Sequence, residues 1–300
     1  MKLKPTGKIL GARVEDLDIS VPLSEQDRSE VMSALGHYGV LEFPEQTLSP
    51  QALRDFSAQF GELFISPGGR AQEPGFPEIM NLSNIVRDGQ PLGLSDAGQS
   101  WHTDMSYMPM IAFSNVLYAL TIPFRDGRPL GATQFRNMHA VCEALPPEIK
   151  ARLNGRRGIH DFEKFWDMMR REKGSSRPAL SEAERRARPP VSQPLIFPHP
   201  ITGREVLYAN PGYLTGIEGL PQKEAEELMD WLFEFQERDE FLFEFHWSPR
   251  SVLMWDNIGT THNAVADYGL QEPRHIKRCQ VMATEFYSSA GTGIPVQALT

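Results

Sequence analysis

Short apolar runs cut by turn-forming residues fill the last four-fifths of this chain, and they constrain its fold most. Residues 79–86, 115–122, 132–135, 157–162, 191–198, 205–209, 241–247, 251–255 and 276–287 read as strands. Turn segments such as Asp126-Gly127-Arg128-Pro129 and Pro200-Ile201-Thr202-Gly203 separate them. The first fifth is mainly helical, between strands at 8–14 and 40–43. Ser24 reads as the cap of a helix running to about residue 38, with Asp27 as a weak capping-box partner and Gly39 as its stop. Ser49-Pro50 opens a second helix, on which Leu53, Phe56 and Phe60 recur at helical spacing before Gly61. Segments 138–145, 147–153 and 222–240 read as outer helices, the last with a Leu228, Trp231, Leu232, Phe235 stripe. The pattern predicts one mixed α+β domain over 1–300, with a double-sheet jelly-roll core and helices packed outside.

Three stretches stand apart. Residues 66–78 and 87–99 are rich in glycine and proline and read as loops. Residues 163–189 form the longest polar insertion: a helical start at 163–173, then a charged tract. An insertion of that length predicts a lid or a flexible segment.

Composition narrows the function classes. With 39 acidic against 30 basic residues, the net charge is −9, which argues against a nucleic-acid partner. The densest basic cluster, Arg185-Arg186-Ala187-Arg188, is flanked by Glu182 and Glu184 and reads as a solvated surface. No run of about 18 apolar residues predicts a membrane span. The N-terminus lacks the apolar stretch of a signal peptide. The two cysteines, Cys142 and Cys279, make neither a disulfide framework nor a thiolate zinc site. A cytoplasmic setting follows as the default.

The chemistry-bearing stretch is Trp101-His102-Thr103-Asp104. On an extended segment, residues two apart project to one side, so His102 and Asp104 can reach one metal ion. A third ligand would complete a two-histidine, one-carboxylate set. His262, after Trp255-Asp256-Asn257, is one candidate; spacing alone does not select it over the other histidines. Arg274 and Arg278 follow it. A guanidinium matches a carboxylate in two hydrogen bonds, as a 2-oxoacid with a distal carboxylate requires. Taken alone, the two arginines fit ordinary surface ion pairs better.

Several ordered motifs resemble the Fe(II)- and 2-oxoglutarate-dependent dioxygenases of the taurine dioxygenase / 2,4-dichlorophenoxyacetate dioxygenase family. They are Gly11-Ala12-Arg13-Val14-Glu15-Asp16-Leu17-Asp18, Gly39-Val40-Leu41-Glu42-Phe43, Phe60-Gly61-Glu62-Leu63, Trp101-His102-Thr103-Asp104, Gly131-Ala132-Thr133 and Trp255-Asp256-Asn257. His262, Ala264, Asp267-Tyr268, Arg274 and Arg278 complete the series. The resemblance spans nearly the whole chain and implies a double-stranded β-helix. It implies iron(II), 2-oxoglutarate and dioxygen (O2) as cofactor and co-substrates, and a homo-oligomer as an option. By the same resemblance, His102, Asp104 and His262 are the iron ligands. Thr133 and Arg274 hold the distal carboxylate of 2-oxoglutarate, and Arg278 faces an anionic group of a small organic substrate. Oxidative decarboxylation to succinate would be coupled to substrate hydroxylation.

The chain also departs from the family pattern. Ile258 follows Asp256-Asn257 where the family often has arginine, a change expected to affect packing more than ligation. Ser66 and Gly98 stand where taurine-specific relatives carry a histidine and an asparagine, so taurine is not the expected substrate. Phe165, Trp166 and Tyr213 match aromatic positions near the substrate in relatives and suit an apolar or aromatic body. The alternatives are a jelly-roll small-anion binding protein without activity, or a zinc hydrolase using the same three ligands.

Overall fold

Valine, isoleucine and aromatic side chains pack well on a pleated surface, and here they build an eight-stranded sheet. Its strand order is Lys2–Pro5, Ala12–Glu15, Val40–Phe43, Val252–Asp256, Ala112–Thr121, His275–Met282, Phe76–Ser83 and Gln72–Glu73. Only the second and third strands run parallel; every other neighbouring pair is antiparallel. The structure is a computed structural model that describes residues 1–67, 69, 71–172, 175 and 177–287. Ala112–Thr121 lies in the middle of the sheet and is buried on both faces over most of its length. That explains why it is mostly apolar and does not alternate.

A smaller antiparallel sheet of Leu242–Phe245, Thr133–Asn137 and Thr260–Ala264 faces the large one. Apolar side chains of the two sheets interlock, with Phe135 meeting Trp255 edge to face at 5.4 Å. The second core layer lies on the large sheet's outer face. There Leu35, Leu53 and Phe56 of the N-terminal helices pack against Phe43, Ile79 and Met254. Burying each such side chain is worth about 1.5–3 kcal/mol. A third sheet, Val191–Pro194, Arg157–His160 and Leu214–Ile217, supports the far side. The expected jelly-roll core with outer helices is the observed architecture.

Both N-terminal helices start where their caps predict. Ser24 Oγ accepts from the Asp27 amide, and Ser49 Oγ from the Ala52 amide with Pro50 in the first turn. Gly39 closes the first helix in the left-handed region, φ 69°.

Other boundaries move for identifiable reasons. The strand expected at 8–14 covers only Ala12–Glu15. Gly7 and Gly11, at φ 74° and 99°, fold the chain back so that Lys2–Pro5 pairs with it as an edge strand. The 222–240 helix stops at Gln236, and a short 3₁₀ turn at Asp239–Phe241 follows. The last strand ends at Met282. The loop expected at 87–99 contains a two-residue hairpin on Asp88-Gly89, both at positive φ.

The 163–189 insertion carries two helices, Phe162–Arg171 and Glu182–Ala187. Lys173, Gly174 and Ser176 lie outside the described residues. The insertion is tied to the preceding loop: Asp96 accepts from Ser175 Oγ at 2.6 Å and from Arg177 Nη2 at 2.7 Å. Among the described residues, no helix is long and apolar enough to cross a membrane.

Candidate metal centre

The two histidines of the expected triad are each other's backbone partners. His102 N–H donates to His262 O at 3.0 Å, and His262 N–H to His102 O at 2.8 Å. This isolated antiparallel bridge sets the rings side by side, with centroids 4.2 Å apart. Asp104, two residues on, brings Oδ1 within 3.5 Å of His102 Nε2 and Oδ2 within 3.6 Å of His262 Nε2. All three residues are buried, and their donor atoms lie within 4.8 Å of one another. His102 Nδ1 faces Ser100 O at 2.7 Å. A carbonyl can only accept, so that nitrogen carries the proton and Nε2 is left bare toward the cluster. His262 Nδ1 is buried without a partner among the described residues.

Charge favours a cation here. Burial alone would raise the Asp104 carboxyl, but Arg278, His102 and His262 outweigh it and hold the group well below the usual carboxylate range. Burial pushes His262 well down, and the His102 and Arg278 charges add to that against the pull of Asp104. A neutral imidazole beside an ionised carboxylate is the form in which both ligate metal. Two imidazole nitrogens and one carboxylate match the donor set of non-haem iron(II), and the same set can hold zinc.

A second polar site lies one strand away. Thr133 pairs with Ala264 on the strand that carries His262, and its hydroxyl accepts from Trp247 Nε1 at 3.0 Å. Arg274 is buried, and its Nη2 donates to Gly131 O at 3.3 Å, two residues before Thr133. Its Nε has no partner, and no carboxylate pairs with its guanidinium among the described residues. Burial lowers its affinity for a proton, against the opposing influence of Tyr268 and Asp267. A buried guanidinium without a counter-charge is costly unless an anion completes it.

Arg278 Nη1 lies 3.3 Å from Asp104 Oδ2, and the Arg278 side chain also lines a small pocket. Ser66, Gln72, Met80 and Gln280 line that pocket with it. Phe165 and Tyr213 stack at 5.2 Å, and both reach the His102 ring, at 5.1 and 6.2 Å. Trp166 does not join them. One step along a helix turns a side chain by about 100°, and its indole instead donates to Pro178 O at 2.7 Å. Tyr107, unremarked in the sequence, extends the aromatic group by packing at a tilt against Tyr213, with centroids 4.7 Å apart. Ile258 is buried in the main core, consistent with a packing role.

His139 and His199 sit against Asp256 in a second buried cluster. The hydrogen bonds of His199 argue against metal there. His199 Nδ1 accepts from the Ile201 and Thr202 amides at 3.3 and 3.4 Å, so its proton is on Nε2, which faces Asp256 Oδ2 at 3.2 Å. The Asp256 carboxylate also accepts from the Ile258 and Gly259 amides, both at 3.0 Å, and so caps the turn leading to His262.

A jelly roll carrying two histidines and a carboxylate, with a buried arginine that no carboxylate pairs among the described residues, fits one class, the 2-oxoglutarate-dependent dioxygenases. The family described as "Taurine catabolism dioxygenase TauD, TfdA family" matches residues 2–280, and the chain belongs to it. It is 29% identical over 288 residues to the alpha-ketoglutarate-dependent 2,4-dichlorophenoxyacetate dioxygenase of Cupriavidus pinatubonensis, covering 93% of this chain and 96% of that one. It is 29% identical over 262 residues to pentalenolactone F synthase of Streptomyces arenae, covering 85% and 87%. A taurine dioxygenase structure from Burkholderia xenovorans superposes with a TM-score of 0.75 at 29% identity, covering 94% and 89%. The protein is therefore an oxidoreductase of the iron(II)- and 2-oxoglutarate-dependent type that acts on a small organic substrate. The binding-protein and zinc-hydrolase alternatives are not favoured.

Proposed function

We propose that His102, Asp104 and His262 hold the iron, that Thr133 and Arg274 hold the distal carboxylate of 2-oxoglutarate, and that Arg278 receives an anionic group of the substrate. The observation that carries this reading is Arg274, a buried cation whose missing counter-charge the co-substrate would supply. With 2-oxoglutarate and dioxygen, the bound iron supplies the oxidising chemistry that hydroxylates a C–H bond. The chain's own residues position and exclude. Ser100 fixes the His102 tautomer, and Trp247 orients the Thr133 hydroxyl. Phe165 and Tyr213 wall the metal against water. Anaerobic titration with iron(II) and 2-oxoglutarate should give a weak visible charge-transfer band, and aerobic turnover should give succinate. Absence of both overturns the reading.

The substrate favoured is a carboxylate, sulfonate, sulfate or phosphonate with an apolar or aromatic body, and not taurine. Ser66 beside Arg278 and the Phe165–Tyr213 stack support it. Arg278→Gln should raise KM for an anionic substrate by roughly ten- to a hundredfold, as expected for a lost charge-assisted contact of about 1.5–3 kcal/mol. An equal effect on an uncharged analogue would exclude this role.

The segment 163–189 serves as the lid. Its tether to Asp96, on the loop that leads to His102, supports this. Asp96→Ala should speed tryptic cleavage within 163–189 severalfold and raise the ratio of succinate to hydroxylated product. Unchanged cleavage and coupling would rule the tether out.

A further inference from the structure

His102 and His262 are fixed by their mutual backbone bridge. Asp104 has no such support: it lies in a turn outside every strand. The next residue, Met105, sits at φ 58°, a conformation that side-chain-bearing residues rarely adopt. Its backbone is nevertheless paired, by a side chain distant in sequence. The Asp104 amide donates to Asn257 Oδ1 at 3.1 Å, and Asn257 Nδ2 donates to Asp104 O at 2.9 Å. The carboxamide thus engages Asp104 as a neighbouring strand would, through one donor and one acceptor.

Asn257 is itself held on every side. Its second Nδ2 proton goes to Ala112 O at 3.0 Å, its Oδ1 also accepts from Asn115 Nδ2 at 3.4 Å, and its own amide donates to Phe113 O at 2.9 Å. A carboxamide offers two donors and two acceptor lone pairs. All four are used here, and the residue is fully buried. Exchanging its oxygen and nitrogen would set donor against donor at Asp104 and at Asn115, so the orientation follows from the network.

We infer that Asn257 is the positioning residue for the metal ligand Asp104, and that it presets the triad before metal arrives. This rests on the triad being the metal site. One segment then organises all three ligands: it carries His262, pairs His102 through the bridge, and grips Asp104 through Asn257.

Asn257→Asp keeps the shape but loses both donors, leaving the Asp104 and Ala112 carbonyls facing a carboxylate. Cobalt(II) binding to metal-free protein, followed by visible absorption, should weaken by about ten- to a hundredfold, as for loss of an outer-shell partner. Gln236→Met is the stability control: it removes a buried hydrogen bond to Ala209 O that involves no triad residue, and should lower Tm with cobalt affinity unchanged. Wild-type affinity in Asn257→Asp would overturn the inference. Failure of the wild type to bind cobalt, or undiminished binding by His102→Ala, would overturn the underlying assignment instead. If Asn257→Asp does not fold, amide hydrogen exchange on the metal-free wild type decides. The Asp104 amide should exchange at least about a hundredfold more slowly than an open turn amide, and fast exchange would refute presetting.

Discussion

Asp104→Asn should leave a folded protein that forms no succinate above background. The substitution keeps the side chain's volume but removes the negative charge that Arg278, His102 and His262 surround. Two imidazoles and a neutral amide then face an adjacent guanidinium, an environment that repels a divalent cation. Ligand linkage gives a second readout. At a metal concentration a hundredfold above Kd, the wild type should gain about 2.7 kcal/mol of stability, and the variant essentially none. A melting curve with and without manganese(II) measures this under conditions where no turnover occurs. An Asp104→Asn protein stabilised as much as the wild type would remove Asp104 from the ligand set.

Arg274→Met should raise the 2-oxoglutarate concentration for half-maximal rate by roughly ten- to a hundredfold, from a lost charge-assisted contact of about 1.5–3 kcal/mol. The accompanying stability effect has an uncommon sign. Most buried arginines are paired, and deleting them destabilises. Arg274 has no paired carboxylate, so an apolar chain of similar length removes a desolvation cost. The ligand-free variant should melt at or above the wild-type temperature, while losing most of the stabilisation that 2-oxoglutarate gives the wild type. A marked fall in the ligand-free Tm would mean that Arg274 is chiefly structural.

Much of this arrangement was legible in the chain because burial writes itself into composition. The 112–121 strand is mostly apolar because it is covered on both faces. Serine caps and Gly39 marked the helix limits because each satisfies a backbone group at a helix end. The edge strand Lys2–Pro5 was not legible: its mostly exposed residues leave no alternation to detect. The Asp88-Gly89 hairpin signal was present but lay within a stretch read as loop.

At the site, a His-x-Asp triplet gave the short-range geometry, and ordered motifs supplied the rest. Sequence could not show that Arg274 lacks a counter-ion, since pairing is settled only once the sheets close. It placed Trp166 with Phe165, although the helix turns them apart. It assigned no role to Trp247 or to the Asn257 of the Trp255-Asp256-Asn257 motif, whose contacts reach 114 and 153 residues along the chain.

That separation bears on how the molecule matures. The bridge between His102 and His262 closes a loop of more than half the protein, and the Asn257 grip on Asp104 closes another nearly as long. Loop closure on this scale is entropically unfavourable until neighbouring strands have already docked. Metal therefore cannot nucleate folding here, as it does in small zinc modules whose ligands are close in sequence. During synthesis, a nascent chain lacking its last quarter has two of the three ligands and no rigid frame for either. With the proposed ligand set, metallation is accordingly expected late, once the large sheet is complete.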